Sequence, residues 1–160
     1  MSSVAVPHVS ERPSALPVVR GSTLAGLVVL AGRALYAAIF LVAGFGHFSQ
    51  QAIGYAAQQG VPLPGVLVPA SGVLALLGGL SVLTGYRARI GAGLLILFLV
   101  PVTLFMHDFW AVKDPMMAAM QQAMFMKNLS MLGAALLLTH FGAGPLSLDA
   151  RARGERGGKD

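Results

Sequence analysis

Four long apolar stretches dominate the chain, and most of its charged residues fall between or beyond them. The stretches cover residues 24–46, 66–85, 89–107 and 118–141. Each is close to the roughly 20 residues that an α-helix needs to cross the hydrocarbon of a bilayer. Backbone groups must be paired inside lipid, and the apolar–polar alternation of barrel strands is absent. The pattern therefore predicts four transmembrane helices.

The fourth stretch is the most polar of the four. Residues 129–141 alone are too short to span, so this helix is predicted to begin near Ala118. Its first half then contains Gln121, Gln122, Lys127 and Asn128. The predicted fold class is all-α, an integral membrane four-helix bundle occupying residues 23–145.

The segments outside the bundle differ from it in composition. Residues 1–22 contain three prolines and no apolar block, so they are predicted to form a disordered cytoplasmic tail instead of a signal peptide. Residues 48–65 are interpreted as a loop, and residues 146–160 as a basic cytoplasmic tail.

The positions of lysine and arginine predict the orientation. Arg87 and Arg89 lie between the second and third helices, and both tails are also basic. The loop at 48–65 has no lysine or arginine, and the loop after the third helix has only Lys113. By the positive-inside rule, both termini are predicted to lie in the cytoplasm.

Composition excludes several classes of protein. The chain is 56% hydrophobic and only 11% charged, whereas about 25% of the residues in soluble domains are charged. It has no cysteine, which excludes disulfides and thiolate metal sites. The net charge of +5 reflects basic residues at the helix ends. The predicted partner is therefore the lipid bilayer and not nucleic acid.

Polar residues inside or next to the spans are candidate ligand-binding residues, because charges are costly in lipid. The predicted topology brings five of them to the periplasmic end of three helices: His47, His107, Asp108, Lys127 and Asn128. Thr103 shares a helix face with His107. Arg33 lies on the same face of the first helix as His47, in the cytoplasmic half of the span. A snorkelling role for Arg33 and an Asp108–Lys127 ion pair are the structural alternatives. No metal site and no catalytic residue are predicted.

Several motifs resemble the DoxX family of small bacterial inner-membrane proteins. They are RALYAAIFLVAGFGH at 33–47, GGL at 78–80 with Arg89 following, FMKNL at 125–129 and GPLSLD at 144–149. The ordered set covers roughly three quarters of the chain. Many relatives carry Lys where this chain has His47, and Glu where it has Ala75. Known relatives include a small subunit of a thiosulfate:quinone oxidoreductase and part of a mycobacterial complex that joins superoxide removal to thiol balance.

This resemblance implies a subunit or accessory of a redox system that does not catalyse alone. We expect a pocket near the periplasm for a quinone, with His or Lys bonding its carbonyls and Phe45, Phe105 and Phe125 packing its ring. A redox partner protein and a second copy of the chain are the expected protein partners. The alternative is a non-enzymatic carrier of small solutes or lipids, or a membrane scaffold for a partner protein.

Overall fold

The computed structural model describes residues 23–157 and consists almost entirely of helices. In chain order they are α1 (Thr23–Gly46), α2 (Gln50–Gln58), α3 (Pro64–Thr84), α4 (Ala88–Met106), α5 (Pro115–Phe141) and α6 (Leu148–Gly157). A short 3₁₀ turn, Phe109–Ala111, lies between α4 and α5. No strand occurs in this part of the chain, which confirms the all-α prediction for it. The predicted disordered tail, residues 1–22, lies outside the described residues.

Three helical segments are long and apolar enough to cross a bilayer: α1, α3 and the segment Ala88–Ala111 that contains α4. The fourth apolar stretch corresponds to α5, which has 27 residues but a more polar composition than the other three. Two helices lie in segments where the apolar pattern predicts none. α2 occupies part of the expected loop, and α6 occupies part of the expected C-terminal tail.

The helix boundaries have local chemical causes. The Ser49 hydroxyl accepts a hydrogen bond from Ala52 N at 3.2 Å and caps α2. The Asp114 carboxylate accepts from Met117 N at 2.8 Å and caps α5, whose first residue is Pro115. α3 ends at Gly85, whose φ of 69° is in the left-handed region that favours glycine.

α3 is the central helix, and it packs against both α1 and α4 through glycines. A Cβ atom at Gly72 would lie 2.9 Å from the carbonyl oxygen of Gly44 on α1. A Cβ atom at Gly78 would lie 2.9 Å from the carbonyl oxygen of Gly91 on α4. These contacts are too close for any larger residue, so the backbones approach as in small-residue membrane interfaces.

Large apolar side chains cover the outside of the bundle, as expected for helices in lipid. Leu35 and Val42 on α1 are 79% and 78% exposed, and they contact lipid in a membrane. The buried core lies between α1, α3 and α4 and includes Phe40, Ala75, Leu95 and Phe98. Further packing comes from α5, which lies against α4.

Gly78→Ala is predicted to destabilise the bundle. The added methyl would lie 2.7 Å from Leu95 Cδ2 and 2.9 Å from Gly91 O, and overpacking of this kind costs about 1–3 kcal/mol. Gly93→Ala on α4 is the matched control, because its methyl would meet nothing within 4 Å. Loss of helical circular dichroism during an SDS titration measures the effect. Equal midpoints for the two variants would contradict the close α3–α4 packing.

Candidate functional site

A small cavity of about 160 Å³ lies between α1, α4 and α5. Four of the predicted site residues line it: His47, His107, Lys127 and Asn128. The rest of its wall is apolar and includes the rings of Phe40 and Phe98, and none of its lining residues is acidic. The structure thus brings together polar side chains from three helices around one space.

His47 follows directly after α1 and is half-buried. Its Nδ1 lies 2.9 Å from the carbonyl oxygen of Ala43. A carbonyl only accepts, so we assign the proton of the neutral ring to Nδ1. Nε2 then remains available for another partner. The ring also packs edge-on against Phe98, with centroids 5.4 Å apart.

His107 ends α4, and it is linked to two residues that sequence reasoning did not select. Its Nδ1 lies 2.8 Å from Oε1 of Gln121 on α5. The Gln121 amide in turn donates to the Tyr55 hydroxyl on α2 at 3.4 Å. This chain of contacts joins three helices and orients the imidazole. Gln121 lies seven residues before Asn128, and that two-turn spacing could have indicated a shared helix face.

Lys127 and Asn128 are consecutive on α5. Asn128 is only 4% exposed, whereas Lys127 is exposed on the protein surface. Both side chains carry nitrogen donors, so the polar wall of the cavity can donate several hydrogen bonds. A deeper contact between α1 and α5 is made by the Tyr36 hydroxyl, which donates to Met131 O at 2.9 Å.

A second, larger cavity of about 450 Å³ lies between α2, α3 and α4. His47, Phe98 and Val102 line both cavities. The wall is mostly apolar, and its other polar side chains are Tyr55 and Ser71. The Ser71 hydroxyl donates to its own helix at Val68 O, 2.7 Å away.

Two predicted site residues near the cluster line neither cavity. Thr103 is buried, but its hydroxyl donates to Leu99 O at 2.6 Å within α4. Asp108 is half-buried and precedes the 3₁₀ turn, where its carbonyl accepts from Ala111 N.

The aromatic residues are also arranged differently from the expected set. Of the three predicted ring contacts, only Phe105 lines a cavity, and it is the larger one. Phe45 is 70% exposed, and Phe125 packs with Phe109 and Trp110 beside the 3₁₀ turn. Sequence position alone could not separate rings that face lipid from rings that face the cavity.

Arg33 lies far from this cluster, at the opposite end of the bundle. It is only 3% exposed, and its Nη2 donates to Leu146 O at 2.8 Å. In the same region, the Asp149 carboxylate accepts from the backbone N–H groups of Arg87 and Ala88 at 2.8 and 3.1 Å. The first turn of α6 is therefore anchored on the turn between α3 and α4. The GPLSLD motif has a structural role here.

Lipid-facing apolar helices around a partly buried polar cluster define an integral membrane protein. The model of the DoxX family matches residues 28–108. The chain is also 31% identical to the inner membrane protein YqjF of Escherichia coli (strain K12) over 121 residues, which are 76% of this chain and 88% of that protein. No solved structure matches the chain.

The chain belongs to the DoxX family and is a multi-pass protein of the bacterial inner membrane. Ala75 is completely buried in the core of this bundle.

Gln121→Leu is predicted to change the tautomer of His107, because the variant removes the acceptor that holds the proton on Nδ1. A net contribution of about 1 kcal/mol corresponds to a change of roughly fivefold in the tautomer ratio. Gln121→Glu keeps an acceptor and should restore the ratio. Nitrogen-15 NMR of the imidazole rings, with the His107 signals assigned from His107→Ala, measures this. Unchanged His107 signals in Gln121→Leu would refute the positioning role.

Proposed function

We propose that this protein is a membrane component of a redox system and binds the head group of a quinone in the small cavity. The observation that carries the proposal is the convergence of His47, His107, Lys127 and Asn128 on one space beside Phe40 and Phe98. Sites for small molecules combine apolar walls with a few convergent polar groups, and bundles build them from facing helices.

The chemistry of the wall complements a quinone. Quinone carbonyl oxygens accept hydrogen bonds, and Lys127 and Asn128 can donate them. The phenyl rings of Phe40 and Phe98 offer edge and face contacts to a flat ring. The absence of acidic side chains from the lining avoids repulsion with electron-rich oxygens.

A bound quinone would supply a group that takes up electrons and protons. The two histidines can accept and donate protons at their ring nitrogens. In His47, Nδ1 makes the bond to the backbone, and Nε2 is the nitrogen available for this role. The chain contains no cysteine, so no dithiol of its own can supply electrons. The proposal therefore includes a redox partner protein. Association with a second copy of the chain stays a prediction.

A pocket is favoured over a transport path by the packing below the cavity. Tyr36 bridges α1 to α5, and the core around Phe40, Leu95 and Leu99 is closely packed. At the inner end, Arg33 lies against Gly85 and is bonded to Leu146 O. A carrier would need polar groups that continue through this region.

His107→Ala is predicted to weaken quinone binding by about tenfold, because loss of a hydrogen-bond partner in a partly buried site costs roughly 1–2 kcal/mol. His140→Ala, an exposed histidine later on α5, is the matched control and should bind as the wild type does. Titration with a short-chain benzoquinone, followed by the fluorescence of the single tryptophan, Trp110, gives both affinities. Equal affinities would exclude His107 from the site. Failure of the wild type to bind would favour the carrier or scaffold.

We also propose that α5 crosses the membrane and that both termini are cytoplasmic. Support comes from the distribution of charge: Arg87, Arg89, Arg151 and Arg153 lie at one end of the bundle, and Lys113 lies at the other. This asymmetry satisfies the positive-inside rule if the cavities are near the periplasm.

The natural absence of cysteine makes the orientation testable. Lys113→Cys should react with a membrane-impermeant maleimide in intact spheroplasts, because it precedes α5 on the periplasmic side. Arg151→Cys, which follows α5, should react only after permeabilisation. Labelling of both cysteines from the same side would show that α5 does not cross.

A further inference from the structure

The larger cavity has no assigned role so far, and we infer that it binds the isoprenoid chain of the quinone whose head group occupies the small cavity. This inference rests on the proposed function and extends it to the class of ligand. The small cavity, at about 160 Å³, is below the roughly 300–1,000 Å³ of typical ligand pockets, and the larger one, at about 450 Å³, is within that range. The first is therefore too small for a whole quinone, whose chain would need further space.

The mouth of the larger cavity faces the bilayer. Its side walls are α3 and α4, two helices that are apolar enough to span the membrane. Leu67, Leu97 and Phe105 line the cavity and are 44%, 59% and 43% exposed, so they form an open rim. α2 and Val61–Pro62 also line it, toward the outer end of the bundle. A hydrocarbon chain can therefore enter sideways from lipid without crossing water.

Small side chains leave the space open. Ala52 and Ala56 on α2 and Ala70 and Ser71 on α3 line the same cavity. In a close-packed interior, larger residues would fill such a volume, and an empty apolar space loses dispersion contacts. An apolar chain in the cavity would restore those contacts, whereas water would find few polar partners there.

The two cavities meet at His47 and Phe98, which line both. Phe98 is 6% exposed and packs edge-on against His47 and Phe40, with centroids 5.4 and 6.0 Å apart. The Phe98 ring thus forms the partition between the polar and apolar spaces. A ligand with its head group on one side and its chain on the other would pass beside this ring, next to the imidazole of His47.

The occupant is an amphiphile of the bilayer and not a water-soluble molecule. The mouth opens among lipid-facing side chains, and the only polar side chains on the wall are His47, Tyr55 and Ser71. Ser71 and Tyr55 already have partners within the protein. Recognition in the larger cavity must therefore come mainly from close van der Waals contact between the chain and the cavity wall.

Filling the larger cavity tests the inference. Affinities for a short-chain and a long-chain benzoquinone are measured in the same lipid nanodiscs, where the wild type should prefer the long chain because that chain supplies the dispersion contacts that the empty cavity lacks. Ser71→Leu and Ala70→Leu place bulk on the cavity wall, and each should reduce that preference several-fold without weakening short-chain binding. Ala38→Leu on the exposed face of α1 is the matched control and should keep the wild-type preference.

The outcomes separate the two proposals. An unchanged chain-length preference in both filled variants, with short-chain binding intact, would overturn the chain site and leave the head-group site standing. Failure of either quinone to bind the wild type would overturn the proposed function and the inference with it. As a second measurement, a benzoquinone with a photoreactive diazirine on its chain should label residues of α3 and α4 such as Leu74 and Leu97. Labelling confined to α1 and α5 would contradict the inference.

Discussion

The close approach of α3 to its two neighbours is the constraint on which the rest of the structure depends. Glycines at the crossing points let the backbone of α3 contact α1 at Gly44 and α4 at Gly91. The Gly72 position lies directly against the Cβ atom of His47, so the same contact that fixes α1 also fixes this imidazole. On the other side, the Gly78 contact aligns α4 so that Phe98 lies beside His47. In lipid, where apolar burial provides little drive for association, such packing is what holds helices together.

The two ends of the bundle have different chemistry. At the inner end, buried Arg33 and the Asp149 carboxylate attach the C-terminal segment to the bundle through backbone hydrogen bonds. The outer end instead retains cavities and side chains with free hydrogen-bonding capacity. This division agrees with the proposal that a lipid-soluble molecule binds near one membrane surface. Membership of the DoxX family agrees with the membrane location, and the redox role rests on the proposed chemistry of the cavity.

Much of the fold follows from the sequence because lipid imposes a simple rule on helix length. The apolar stretches indicate α1, α3, α4 and α5. Counting residues from the ends of these helices places His47, His107, Lys127 and Asn128 near the same end of the bundle. The same reasoning could not show that Thr103 lies outside the cavity. Thr103 shares a helix face with His107, but its hydroxyl bonds to a carbonyl of its own helix. It also missed α2, which is too short and polar to resemble a span. The roles of Tyr55, Gln121 and Phe98 in the site could not be predicted, because they depend on contacts between helices. Those contacts follow from the close packing of the helices at the glycines.

The most direct test of the central claim is to identify the lipid-soluble molecules that co-purify with the protein. Wild-type protein purified in mild detergent is extracted, and its lipid-soluble molecules are quantified by mass spectrometry beside the Lys127→Ala and Asn128→Ala variants. The account predicts a near-stoichiometric quinone in the wild type and its depletion in both variants, with the helical content unchanged. A well-folded wild type that carries no quinone, or variants that retain it fully, would contradict the account.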